Sequence, residues 1–434
     1  MIRTRDDLLY ALTLAAEIEH NLCCQYLFAA YSLKKFGREG LAPDQERMVG
    51  AWRTTLAEIA RQEMEHLGFV TNLLTAIGGA PHFWRPNLPQ PAEVYGTGVP
   101  MILEPLSPGS IARYVHFERP GGGPGAGEPS GGDDPSRADD PSGVAFTDPA
   151  PVTVPWNDLQ ELYEKIRTAF LTLDEKTLFI GPRDAQVDST DLGLADNMRV
   201  YGIEVFHVTG PDSASRAIDR IIEEGEGAVG GSDALSPDSH YVRLGAMADE
   251  LAAELARDPT FEPARPVVAN PMTRASRLRG SGPGTLITDP FTWRVAELFN
   301  AAYEALLLAL IRFYAHTDES AAELAGLRDL AFFPLMVMAV RPLAEILTEL
   351  PAGPERPGRT AGPPFEFYRE VEFLPHREAA WIVLREKLEQ MASACEALAR
   401  DPGAPAAAAE RLAFVHENLF RMAMNFSAAM GGSR

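Results

Sequence analysis

Residues 57–81 read AEIARQEMEHLGFVTNLLTAIGGAP. Ile59, Leu67, Val70 and Leu74 recur at the three- and four-residue steps of an α-helix. Glu63 and His66 stand three apart, so they share a face, with Cβ atoms about 5–6 Å apart, near enough to hold one metal ion. An isolated pair of this kind usually belongs to a solvated face, because charged side chains stay at the surface. Here the apolar positions put residue 63 beside the buried stripe, and a buried carboxylate needs a charge partner or a metal.

Working outward, Met48, Trp52 and Leu56 carry the helix back to Asp44, expected as its N-cap, and Gly78-Gly79 with Pro81 close it. An amphipathic helix is predicted over 6–36, ended by Gly37 and Gly40. Glu19 lies there in register with Leu12, Ala16, Leu22 and Tyr26. It either joins Glu63 and His66 or pairs with an arginine such as Arg53 or Arg61. His20 points about 100° away from it and reads as structural. Tyr26 and Tyr163 read as core aromatics.

A third helix starts near Trp156 and offers Glu161 or Glu164. A fourth opens after 210–212 through Ala217, Ile218, Ile221 and Ile222, and leads to Glu226 and, past a glycine-rich interruption, His240. Those two residues can converge only if the helix is broken between them. One Glu on each of two helices and a Glu-His pair on each of the other two is the pattern of a two-metal helical bundle.

The rest of the chain frames that bundle. Residues 81–155 have extended and loop chemistry, and Gly, Pro, Asp and Ser dominate 121–145, which predicts a disordered insertion. Helical runs follow at about 290–316, 321–349, 376–399 and 405–430. The fold class expected is mainly α, a four-helix bundle over 1–255 with a C-terminal helical region over 256–434 packed on it; 434 residues exceed what one ordinary core organises.

A hydrophobic fraction of 46% can fill such cores. The longest apolar runs, 305–311 and 330–340, fall short of a bilayer span of about 20 residues. Early charges at Glu17, Glu19 and His20 do not suit a secretory leader, so a cytoplasmic location is expected. Three cysteines, two adjacent at Cys23 and Cys24, support neither a disulfide framework nor a thiolate metal site. A net charge of -22 argues against nucleic acid and anionic membranes as partners.

Several stretches together resemble the ferritin-like domain of the iminophenyl-pyruvate dimer synthase family. They are the run from Ala15-Ala16-Glu17-Ile18-Glu19-His20 to Ser32, the run from Glu63-Met64-Glu65-His66 to Pro81, Leu106-Ser107, Phe117-Glu118-Arg119-Pro120, Glu161-Leu162-Tyr163, Gly225-Glu226-Gly227 with Ser239-His240-Tyr241, and 360–365. The resemblance covers nearly the whole chain outside the insertion. It implies a ferritin-like oxidative enzyme of secondary metabolism whose type member couples imines derived from an aromatic amino acid. Carried across, it implies Glu19, Glu63, His66, Glu161, Glu226 and His240 as metal ligands, with Glu226 preferred to Glu224. The chain departs from the family at Asn21-Leu22-Cys23-Cys24, which bears on the substrate more than on the metal.

The function expected is that of a non-haem enzyme with two iron ions, manganese being the other candidate, acting on a small molecule with O2. A homo-oligomer stays open. The rival readings are a non-enzymatic ferritin-like metal-binding or interaction protein, and an enzyme that carries haem instead.

Overall fold

The computed structural model describes residues 2–121, 156–191, 204–225, 227, 235–274, 284–315 and 318–431. Helix α1 (Arg5–Ser32) starts at a Thr4 capping box closed by Asp7. It ends at Ser32, short of the expected glycines, because Leu33 turns extended and bridges Ala264. Helix α2 (Pro43–Ala76) takes Pro43 as its first residue, which moves Asp44 from the expected cap into the first turn. Gly78, at φ +89°, supplies the left-handed turn that stops it.

Residues 81–155 are not all loop. Ser107 caps helix α3 (Pro108–Phe117) and Pro108 opens it, with Ile111, Tyr114 and Phe117 inward. The segment read as extended and loop chemistry includes a proline at the position where a helix tolerates it best. The expected insertion at 121–145 lies outside the described residues from 122 on. Helices α4 (Leu159–Thr172) and α5 (Pro211–Gly225) pair with each other, α4 against α1 and α5 against α2, which completes the four-helix bundle. Helix α6 (His240–Arg257) packs on α3.

The second half holds α7 (Pro290–Tyr314), α8 (Ala321–Leu330), α9 (Arg341–Leu347), α10 (Arg377–Ala399) and α11 (Ala406–Gly431). A π-helical stretch, Ala331–Val340, joins α8 to α9 around Pro334, giving the continuous run Ala321–Leu347. By length and composition, with mean hydropathy 1.8, that run could cross a membrane, longer than the 330–340 segment suggested. It lies against α7 and α11, and 53% of its apolar window is buried, with Leu327, Leu335, Leu343 and Leu347 in the core.

A buried polar seam joins the halves. Every residue of α1 from Ala15 to Tyr26 is buried, so the helix is covered all round rather than amphipathic. Its face with His20 and Cys24 meets Tyr303 of α7, whose hydroxyl lies 2.5 Å from His20 Nε2 and 3.3 Å from Cys24 Sγ. Arg85, fully buried, donates to Tyr303 Oη at 3.3 Å, to the Phe365 carbonyl at 2.9 Å and to the Pro86 carbonyl at 3.0 Å. Its guanidinium also stacks 5.3 Å from the Phe367 ring centre. Phe365 has φ +51°, a conformation costing about 1 kcal/mol or more for a non-glycine residue. Arg85 grips its carbonyl. Arg85→Ala should therefore lower stability by about 3 kcal/mol or more, since it strands that carbonyl and leaves a cavity. Urea unfolding followed by far-UV circular dichroism measures it, and an unchanged midpoint would assign the seam to other contacts.

Candidate metal centre

The inward faces of the bundle converge on six side chains between 0% and 8% exposed: Glu19, Glu63, His66, Glu118, Glu224 and His240. Each is delivered by local structure. Glu19 lies midway along α1, and Glu63 and His66 occupy adjacent turns of α2. Glu118 is the residue at which α3 ends. Glu224 sits in the last turn of α5, and His240 is the first residue of α6, aimed by its Ser239 cap.

Glu63 is the hub. Its Oε2 lies 3.3 Å from His66 Nδ1, and its Oε1 lies 3.0 Å from His240 Nδ1. The second approach is not a hydrogen bond, for Glu63 Oε1 and both nitrogens of His240 are buried and have no hydrogen-bond partner among the described residues. Such orphaned polar atoms are costly unless another group meets them. Glu19 Oε2 stands 3.4 Å from His66 Nδ1, and Glu118 Oε2 stands 3.5 Å from His240 Nδ1. Two three-ligand groups result, Glu19-Glu63-His66 and Glu63-Glu118-His240, each with ligand atoms within 4.8 Å of one another. They share Glu63, and the imidazole centres are 5.5 Å apart.

Supporting contacts surround the six. Tyr163 of α4 donates a short hydrogen bond to Glu19 Oε1, and Tyr26 donates one to Glu118 Oε1. Glu224 Oε2 lies 3.2 Å from His66 Nε2, while its Oε1 pairs with Arg220 at 2.5 Å. Leu22, Leu159, Ile221 and Ile222 wall the remaining space, about 10 Å³, room for roughly one water.

Burial and crowding set the charges. Burial, then the neighbouring Glu63 charge, pushes Glu19 up to about 7. Burial likewise, with Glu224 beside it, pushes Glu65 up to about 7. For Glu63, burial and Glu118 favour the neutral acid, but the two histidines win and hold it below its ordinary range. Burial opposes charge on His240 too, yet Glu63 and Glu118 push it up to about 9. Burial is likewise overcome at His66, raised well above its ordinary value by Glu19, Glu224 and Glu63. The surrounding carboxylates thus favour the protonated form of both imidazoles, in a donor set of carboxylates and histidines that could hold a metal ion.

The sequence-derived positions divide clearly. The structure brings together Glu19, Glu63, His66 and His240, and α5 and α6 are separate helices, as the convergence of His240 required. It does not bring Glu161 there: its Oε2 accepts from the Asn157 backbone N at 2.8 Å and side-chain amide at 3.0 Å, and its Oε1 meets Lys165 at 2.5 Å. With Asp158 as N-cap, position 161 falls in the first turn, where a carboxylate serves the helix end. Glu164 accepts from Gln160 at the surface. The residue that α4 sends to the centre is Tyr163. Glu226 lies outside the described residues, and the carboxylate seen beside His66 is Glu224. Glu118 was missed as a site residue, and Glu224 was weighed but set below Glu226. The signal for Glu118 was the Ser107-Pro108 helix start, which sets Ile111, Tyr114 and residue 118 on one face.

A ferritin-like family model matches residues 12–249. The chain is 29% identical over 431 residues to the dichlorochromopyrrolate synthase of Lentzea aerocolonigenes, covering 92% of this chain and 40% of that one. It is 28% identical over 385 residues to the 2-imino-3-(indol-3-yl)propanoate dimerase of Chromobacterium violaceum, covering 84% of this chain and 34% of that one. The chain thus spans well under half the length of either relative. Among solved structures, a ferritin-like protein from Caulobacter vibrioides aligns with 79% of this chain and 95% of its own, at TM-score 0.46 and 16% identity.

The carboxylates around His66 and His240 favour their protonated forms, so metal binding there should release protons. Metal affinity should climb with pH from 6 toward the value of about 9 at His240, by roughly tenfold per pH unit for each proton released. Calorimetry of Co2+ binding in buffers of different ionisation enthalpy counts those protons; a pH-independent affinity would contradict the assignment.

Proposed function

The chain belongs to the ferritin-like family, and on that footing we propose that it is a metal-dependent oxidoreductase with two iron ions, or manganese in their place, at the Glu63 centre. The observation that carries this reading is one buried carboxylate shared by two three-ligand groups. Glu19 and His66 would hold one ion, Glu118 and His240 the other, with Glu63 between them. Four carboxylates, counting Glu224, balance two divalent charges in a site that excludes bulk water. Bound metals would supply dioxygen activation. The protein's own groups would fix their spacing and exclude solvent, and the two imidazoles would release their protons as the ions bind.

Two relatives support a reading of the substrate class, one named for dimerising an indolyl imine and the other for making dichlorochromopyrrolate. We take the substrate to be an aromatic imine or a related small molecule, with dioxygen as electron acceptor. The enclosed space holds about one water, so a substrate of that size must approach from outside it or part its walls.

Purified protein should contain close to two iron or manganese ions per chain and lack a Soret band. Admitting air to the reduced, iron-loaded protein should change its near-ultraviolet and visible absorption. Glu63→Ala and His66→Ala should each lose metal and dioxygen consumption while keeping helical content. Protein that binds no metal after reconstitution, or a haem spectrum, would sink the proposal; a large iron core with no dioxygen-dependent turnover would favour storage.

A further inference from the structure

The three carboxylates nearest the histidines differ in which of their oxygens are already occupied. Glu19 has one oxygen tied to Tyr163 and the other 3.4 Å from His66. Glu118 repeats the arrangement, with one oxygen tied to Tyr26 and the other 3.5 Å from His240. Glu63 receives no tyrosine hydrogen bond among the described residues, and its two oxygens face different imidazoles at 3.3 and 3.0 Å. A hydroxyl donor consumes lone pairs and draws charge from the oxygen it binds, leaving its carboxylate one free donor oxygen.

The imidazoles differ as well. His66 has Glu224 behind its Nε2 at 3.2 Å, itself fixed by Arg220 at 2.5 Å. His240 Nε2 is buried and has no hydrogen-bond partner among the described residues. A carboxylate behind a ligating imidazole fixes the ring and makes the ligating nitrogen more basic.

We propose that Tyr163 and Tyr26 are positioning residues that confine Glu19 and Glu118 to one-oxygen ligation of separate metal ions, leaving Glu63 as the bridge, and that the Glu19-His66 half, backed by Glu224 and Arg220, fills before the Glu118-His240 half. This rests on the metal-pair reading above. It makes the centre unequal by construction: one ion is held tightly, and the other, on the histidine whose Nε2 has no partner among the described residues, exchanges more readily.

The test is Co2+ titration of the metal-free full chain, followed by visible absorption. Wild type should bind two equivalents in two resolved steps. His240→Ala should abolish the second step and spare the first. Glu224→Gln should weaken the first step by about 10–100-fold; if that variant fails to fold, Arg220→Ala at the half-exposed end of the pair should weaken the same step. Tyr163→Phe should weaken the first step and Tyr26→Phe the second alone, with the unfolding midpoint of each reported alongside so that a general loss of structure is recognised. Two equivalents in one unresolved step, or a Tyr26→Phe variant that weakens the first, would overturn the assignment while leaving the metal pair intact. No Co2+ binding at all would overturn both.

Discussion

The carboxylate of Glu63, 1% exposed, is the constraint from which much of the architecture follows. Taking an isolated carboxylate out of water costs several kcal/mol even after relaxation, so its position on the buried stripe of α2 demands cations on both sides. His66 comes from the next turn of the same helix and needs no long-range organisation. His240 is separated from Glu63 by 177 positions in the numbering and arrives only because α5 stops at Gly225 and α6 begins at His240 itself. A straight continuous helix there would carry the second histidine past the centre. The break at 225 and the cap at Ser239 are therefore part of the site.

Once two imidazoles are in place, further acids are tolerated, and they come in a graded arrangement. Glu19 and Glu118 each lie within reach of one histidine and are steadied by a phenol. Glu224 lies behind His66 with one oxygen and meets Arg220 with the other. Glu65 is buried too, but its nearest cation is Arg220 Nε at 3.6 Å, and it rises toward neutrality as the surplus member of the set.

What was legible in the sequence divides along physical lines. Periodicity located α1, α2, α4, α5 and the second-half helices, and with them Glu19, Glu63 and His66, because these depend on spacing within one helix. His240 was legible once a broken fourth helix was allowed. Glu161 misled because a carboxylate three residues past an N-cap satisfies the same local pattern as a buried ligand, and only the start of α4 at Leu159 separates the two. Glu118 was hidden for the opposite reason: its helix is ten residues long and begins among prolines, too short for periodicity to stand out. Glu224 was in view as the alternative to Glu226, but its contact with His66, like the tyrosine contacts, is a long-range pairing that no spacing rule reaches.

The amphipathic reading of α1 failed in a way that explains the second half of the chain. A bundle helix ordinarily turns one face to solvent, yet α1 carries Glu19 and Tyr26 on one side and Glu17, His20, Asn21 and Cys24 on the other, and all are buried. The outer side has polar groups that would be content in water, so hydrophobic driving force alone does not explain covering it. Specific partners do: Tyr95 donates to Glu17 at 2.8 Å, and Tyr303 meets His20 while Arg85 ties that hydroxyl to the Phe365 carbonyl. The partners beyond residue 256 come from α7 and from the segment around 365. The second half thereby holds the outer side of the helix that presents Glu19 on its inner side. Packing on both sides of α1 confines Glu19 beside His66, so the contacts that the C-terminal half makes with the outer side of this helix bear on the position of a carboxylate they do not themselves hydrogen-bond.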